Sequence, residues 1–290
     1  MIENSAAKEP LVTVVVPTYN HSGSIAKCLD SILEQKTDFE FKVLVADDAS
    51  TDGTSDIVRR YAQNDNRILA IVREVNLGSF ENMRRVVKGI KSEYFIILEG
   101  DDFWCDPEKL QLQIDALKRH PECSCCAHVT DVRDKNGNHL HNIERKITKS
   151  EEVFDIYHAP WCHTSSILYR NFLQSLTENQ WQFFYGDLMY LMVALDKGNM
   201  IYINRLMSVY NSTGAGIWSS SDEYEKHHFS QLLCYRVDHF LNFKYTRMFQ
   251  HKYLPGEPKT LFTLTIPLFK GRKFMIKFQK SKPWKAKVWK

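Results

Sequence analysis

The chain has 290 residues, 43% hydrophobic and 25% charged, the proportions of a soluble globular protein large enough for one sizeable domain and an appendage. Its formal net charge is +3, yet nine of its 38 basic residues and none of its 35 acidic ones lie between Lys270 and Lys290. The remainder is net acidic, which argues against a nucleic-acid partner and leaves the basicity in a tail. Residues 1–10 are polar and lack the apolar core of a signal peptide, and residues 261–269 are too few to span a bilayer. Three of the seven cysteines crowd together at Cys123, Cys125 and Cys126, too tightly for paired zinc knuckles. Unpaired thiols in a reducing cytosol are the economical expectation.

Residues 11–16 form a β-branched run closed by Pro17, which predicts a buried strand. Ser22 is a candidate N-cap, after which Ile25, Cys28, Leu29, Ile32 and Leu33 take the spacing of an amphipathic helix. Residues 41–46 are the next strand, and Ile57, Val58 and Tyr61 mark a helix after Gly53. A third strand at 68–72 precedes a helical stripe of Met83, Val86, Val87 and Ile90. The fourth strand, 94–98, is followed by a helix over 108–119. Four strands each feeding a helix imply right-handed crossovers and a mostly parallel sheet with helices on both faces. Ligands of such sheets sit outside the C-terminal strand ends. Further on, the pattern predicts a polar loop at 131–138, strands at 165–169 and 200–203, a helix at 187–196 and an aromatic-rich helical segment over 222–253.

The strand ends carry the polar motifs. They are Pro17-Thr18-Tyr19-Asn20, then Asp47-Asp48-Ala49-Ser50-Thr51-Asp52-Gly53-Thr54, then Arg73 with Asn76-Leu77-Gly78, and last Glu99-Gly100-Asp101-Asp102-Phe103-Trp104. Asp52-Gly53 reads as a turn opening a helix. An acidic turn at a strand end suits Mn²⁺ or Mg²⁺, which prefer oxygen ligands and keep positions open for waters and phosphates.

In this order, the four motifs resemble the nucleotide-binding half of a family 2 glycosyltransferase with the GT-A fold, over residues 11–120 and more weakly to 218. The resemblance implies an α/β fold with a Rossmann-like, mostly parallel central sheet flanked by helices. The GT-A domain would span 1–218, divided into a nucleotide-sugar half (11–120) and an acceptor half (121–218). A helical extension over 219–290 would end in the basic, aromatic tail. The implied activity is inverting, metal-dependent transfer of a sugar from a nucleotide-sugar donor, with UDP favoured, to a hydroxyl of a glycan or lipid-linked glycan.

By the same resemblance, Asp101 stands in the second acidic position of the DxD motif and is the first candidate metal ligand, with Asp102 beside it. Glu99 replaces the usual first Asp, which leaves it a ribose contact or a support. Asp48 would accept from the nucleobase, with Pro17, Thr18, Tyr19 and Asn20 around that pocket. Arg73, Asn76 and Gly78 are candidates for the ribose or phosphate side. Gly186-Asp187 resembles the family's later acidic motif, which makes Asp187 the candidate base; a helix cap is its bland alternative. His163 would face donor or acceptor sugar unless it is structural, and Trp218, after Gly214-Ala215-Gly216, would belong to a hinged lid.

Competing signatures are missing from the sequence. There is no Walker loop, and Gly214-Ala215-Gly216 lacks the third glycine of a dinucleotide fingerprint. A receiver-like signalling module would need an acidic pair after strand one, and a nucleotidyltransferase a glycine-rich basic loop there. In the tail, nine cations alternate with Phe274, Phe278, Trp284 and Trp289, which suits an anionic membrane surface. The expectation is a cytoplasmic enzyme, peripheral on the inner face of the cell membrane.

Overall fold

The computed structural model describes residues 9–184, 186–212, 223–252, 263–268, 272–277 and 285–288. The chain divides into two compact units, Met1–Ser221 and Asp222–Lys290. In the first unit, β1 (Val12–Thr18) lies parallel to both β2 (Phe41–Asp47) and β4 (Tyr94–Ile97), and β3 (Ile68–Val72) flanks β2. Helices α1 (Ile25–Leu33), α2 (Thr54–Asn64) and α3 (Ser79–Val87) make the crossovers. The valine run of β1 is apolar on both faces because both faces are covered. Val12, Val14 and Val16 join Ile25, Leu29 and Ile32 of α1, and Leu110, Ile114 and Leu117 of α4 (Lys109–Arg119), in one core cluster. Strand alternation sends Phe95 to the other side. There its ring stacks on Tyr169 at 5.0 Å and meets Phe172 and Tyr190 edge-on.

The second half of the unit is mixed. It contains β5 (Phe103–Trp104), β6 (Cys123–Asp134), β7 (His139–Ile143), β8 (Glu151–Phe154), β9 (Leu168–Arg170) and β10 (Asn199–Ser212), with helices α5 (Glu178–Phe183) and α6 (Asp187–Lys197). The main sheet runs β3-β2-β1-β4-β9-β6-β10-β5, with β9 antiparallel to both neighbours. The parallel arrangement expected from the sequence thus covers the first four strands and the β6–β10 pair only. The first half of the expected loop at 131–138 is strand, because β6 continues to Asp134, and residues 135–138 make the turn into β7. Asp131 can lie buried there since its two oxygens take Arg133 Nε and His139 Nδ1, each at 2.6 Å. The expected strand at 165–169 starts only at Leu168; Thr164–Ser166 is a 3-10 turn. None of the seven cysteines, all among the described residues, is in a disulfide.

The second unit holds α7 (Glu223–Phe240) and α8 (Thr246–Lys252). The turn between them places Asn242 and Phe243 at positive φ and is tied by Asp238, which accepts from Tyr245 N–H and the Thr246 hydroxyl. The helical extension expected from the sequence ends there. The basic tail forms a three-stranded antiparallel sheet of β11 (Thr263–Leu268), β12 (Arg272–Lys277) and β13 (Lys285–Val288). Period-two alternation is seen in β11, Thr263-Leu264-Thr265-Ile266, and in β13, Lys285-Ala286-Lys287-Val288, and Pro267 falls on an edge strand, where proline is tolerated. Among the described residues, no helix is long and apolar enough to cross a membrane.

Candidate active site

The C-terminal ends of β1, β2 and β4 converge. Asp48 is buried at the end of β2, its N–H donates to Thr18 O at 3.0 Å, and its Oδ1 accepts from Leu77 N–H at 2.8 Å. Among the described residues, no hydrogen bond reaches Asp48 Oδ2. Asp47, the first acid of the pair, is consumed internally by hydroxyls of Ser50 and Ser55. Asn20, at φ 55°, clamps the two strand ends together: its N–H meets Ser50 Oγ and its Oδ1 accepts from Thr51 N–H, both at 2.9 Å. Asn76 is likewise a loop staple, donating to Asp48 O at 3.1 Å and accepting from Gly78 N–H at 3.0 Å. Gly78 itself opens α3 at φ 80°, a conformation that favours glycine. Arg73 is aimed by Asn82, whose Oδ1 accepts from its Nε at 3.0 Å. Thr18 is buried while the Tyr19 ring is 45% exposed at the rim.

The acidic turn after β4 is held from two directions. Gly100 packs so close to β1 that a Cβ there would lie 2.6 Å from Thr18 Oγ1 and 2.9 Å from His21 Nδ1. From the far side, β10 pairs with β5 and brings Asn211 alongside: its N–H donates to Asp102 Oδ1 at 2.9 Å and its Nδ2 to Asp101 O at 2.5 Å. Register shifts in β10 between Ile203 and Ser208 re-aim the strand just before this contact.

Glu99, Asp102 and His163 come together, with one ligand atom from each lying within 4.8 Å of the others. Glu99 Oε2 and Asp102 Oδ2 are buried without any hydrogen-bond partner. Burial, then the neighbouring charges of Asp187 and Asp101, push the Glu99 pKa up to about 8. Burial, then Glu99 and Asp101, raise that of Asp102 well above the usual carboxylate range. His163 is stacked on Tyr210 at 4.3 Å, and burial lowers its pKa to about 4, which keeps the imidazole neutral. Two orphaned carboxylate oxygens facing a neutral imidazole fit a hard divalent cation, which would relieve the repulsion that burial imposes. Asp101, the first ligand expected from the sequence, lies outside this cluster, its Oδ2 3.9 Å from His21 Nε2. Asp102 is in it, and so are Glu99 and His163, which the sequence suggested for other contacts.

Asp187 opens α6 behind Gly186, itself at φ 79°. It is open to solvent yet crowded by protein, and this crowding raises its pKa while a hydrogen bond from Thr164 pulls the other way. Its charge reaches Glu99, so the candidate base and the acidic cluster share one site. Trp218 lies outside the described residues. The sequence did not reveal Asn211 or Tyr210, since nothing local marks them, whereas Thr164 belongs to the His163-Thr164-Ser165-Ser166 element that resembles the family.

An open sheet with a free carboxylate oxygen at one strand end and an acidic cluster at another, facing a helix-borne aspartate, is the build of a GT-A glycosyltransferase. The model of the Glycosyl transferase family 2 matches residues 13–176, and the chain belongs to that family. An uncharacterized protein of Mycobacterium tuberculosis, Rv1520, is 30% identical over 221 residues, covering 72% of this chain and 61% of its own length. Chondroitin synthase of Escherichia coli is 30% identical over 142 residues, which is 49% of this chain and 20% of that protein. The chain thus spans about three fifths of the mycobacterial relative and much less of the other. Among solved structures, Staphylococcus aureus TarS in complex with UDP-GlcNAc superposes with a TM-score of 0.56 at 20% identity, covering 85% of this chain and 76% of that one. The mannosyltransferase PcManGT of Pyrobaculum calidifontis, in complex with GDP-Man and Mn²⁺, gives 0.51 at 18% identity over 83% and 65%. These likenesses agree on the GT-A fold. Family membership decides against the receiver-like and nucleotidyltransferase alternatives.

Proposed function

We propose that the chain is an inverting glycosyltransferase that moves a sugar from a nucleotide donor, UDP-linked in our reading, to a hydroxyl of a glycan or lipid-linked glycan. The observation that carries this is the pair of donorless buried oxygens of Glu99 and Asp102 opposite His163. We assign Mn²⁺ or Mg²⁺ to these three residues, with Asp101 as a further carboxylate on the same turn. When bound, the cation neutralises charge developing on the departing diphosphate. Asp48 Oδ2 accepts from the base N–H, the Tyr19 ring covers the base, and Arg73 meets the ribose or phosphates. TarS in complex with UDP-GlcNAc and PcManGT in complex with GDP-Man and Mn²⁺, which share the fold, support a nucleotide-sugar donor.

Asp187 takes the proton from the acceptor hydroxyl as its oxygen bonds to the anomeric carbon. The bond from that carbon to the phosphate oxygen breaks on the opposite face, so configuration inverts and the nucleoside diphosphate leaves with the electron pair. A raised carboxyl pKa makes Asp187 a stronger base than a free aspartate. For the tail, we propose attachment to an anionic membrane surface through residues 270–290, supported by nine cations without a single acid.

The test is a panel of nucleotide sugars assayed for donor hydrolysis with Mn²⁺ or EDTA. Asp102→Asn should reduce metal-dependent turnover by about 100- to 1000-fold. It should melt no lower than the parent, since it removes one of two repelling carboxylates. Full turnover in EDTA would sink the metal assignment.

A further inference from the structure

We propose that Lys109 is a positioning residue for the active centre, acting through Gln113 and Trp104 on the turn that carries His163 and Thr164. The inference rests on the reading of that centre given above.

Lys109 begins α4 and is fully buried, with no carboxylate in hydrogen-bond contact. Its Nζ donates to Gln113 Oε1 at 2.7 Å and sits 4.3 Å above the centre of the Trp104 ring. Both of these neighbours reach the same place. Gln113 Nε2 donates to Ser166 O at 2.9 Å and to Cys126 O at 2.8 Å. Trp104 Nε1 donates to Ser165 O at 3.1 Å. Two successive carbonyls of the 164–166 turn are therefore held by side chains that Lys109 touches.

The amide of Gln113 has no freedom to flip. Both its N–H groups face carbonyl oxygens, so the amide oxygen must face Lys109 Nζ, which donates to it. The turn is clamped again on its inner side, where Ser165 Oγ contacts His163 Nδ1 at 2.8 Å and Ser208 Oγ at 3.3 Å, and Ser208 meets Thr130 Oγ1 at 2.9 Å. One end of this turn presents the imidazole of the acidic cluster, and its next residue bonds the proposed base Asp187.

A buried lysine with one hydrogen bond and one aromatic face is a poor device for stability, since burial disfavours its charged form. Met spares that desolvation and keeps the contact with Trp104, which offsets the donor lost to Gln113 Oε1. Its use is geometric: it fixes an amide and an indole that together fix the turn. Stability and function should therefore separate when it is removed, whereas a purely structural role would move them together.

The experiment compares the full chain with Lys109→Met and with Gln113→Glu, which keeps a partner for Lys109 but loses both amide donors. Thermal melting, Mn²⁺ binding followed by the electron paramagnetic resonance of free Mn²⁺, and steady-state donor hydrolysis are measured on each. Lys109→Met should melt at or above the parent temperature while Mn²⁺ affinity falls roughly 10- to 100-fold. Donor kcat should fall up to roughly 100-fold, as for a displacement on the order of 1 Å, with donor KM little changed. Gln113→Glu should show the same losses of affinity and kcat. Parent-like Mn²⁺ affinity and kcat in both folded variants would overturn the inference. A parent protein that neither binds Mn²⁺ nor turns over any donor would count against the underlying reading instead. Crystal structures then decide the inference: His163 shifted in Lys109→Met supports it, and His163 unmoved overturns it.

Discussion

The two halves of the first unit place functional residues by different means. In the parallel half, Thr18 ends β1, Asp48 follows β2 and Glu99 comes just past β4, so position along the chain also fixes position in the site. In the mixed half, the contributing residues arrive by long-range pairing. Asn211 reaches Asp102 across 109 positions, and Gln113 reaches Ser166 across 53. In the proposed reading, Thr18 and Asp48 beside strand ends meet the donor, whereas the residues that hold the acidic turn depend on how distant strands register.

That contrast can be broken most sharply on the donor side. Asp48→Asn leaves an amide oxygen to accept from Leu77 N–H, so the loop should stay in place. If its two-fold carboxylate is what grips the base, losing a charge-assisted bond should cost roughly 1.5–3 kcal/mol, seen as about a 10- to 100-fold rise in donor KM with smaller change in kcat. Isothermal titration with nucleoside diphosphate gives the same number without turnover. A variant that binds as tightly as the parent would remove Asp48 from base recognition.

The effect expected in the mixed half is smaller and of another kind. Asn211→Ala keeps the backbone donor to Asp102 and removes only the bond to Asp101 O. A single neutral hydrogen bond contributes about 1 kcal/mol, so kcat should fall about fivefold with donor KM unchanged. A change confined to KM would instead put Asn211 with the donor residues and erase the distinction between the halves.

The same division explains what the sequence makes legible. The four strands of the parallel half follow from β-branched runs punctuated by Pro17, Gly53 and Pro107, and the acidic motifs follow from where those runs end. His163 was visible only as part of a resemblance, because its role depends on Asp102, 61 residues earlier, and on Tyr210 from β10. Lys109 and Gln113 look like solvent-facing polar residues of α4. Yet their i, i+4 spacing runs beside the stripe of Leu110, Ile114 and Leu117, and that was the one local sign of burial. The polar strand ends of β6 misled in the opposite sense: Asp131 and Arg133 suggest a loop until their mutual pairing and His139 are seen. In the tail, composition suggested a helical extension, but the period-two alternation of β13, Lys285-Ala286-Lys287-Val288, supports a strand.

The smallest predicted effect is a melting shift, and it isolates the acidic cluster from the rest of the site. A carboxyl whose folded-state pKa is raised binds its proton more tightly folded than unfolded, so its contribution to stability is lost as pH rises. For Glu99 that window runs from about the free glutamate value near 4.3 to its folded value of about 8. His163, held low, has the opposite slope and loses stability as pH falls below its unfolded value, which would mask Glu99 in a simple pH titration. The difference between Glu99→Gln and the parent cancels that background. In EDTA the variant should melt a few degrees above the parent at pH 8, and the gap should close as pH falls to 5. A gap that is constant with pH would mean that Glu99 carries its charge as easily in the folded chain as in water. The burial cost that a cation relieves would then rest on Asp102 alone.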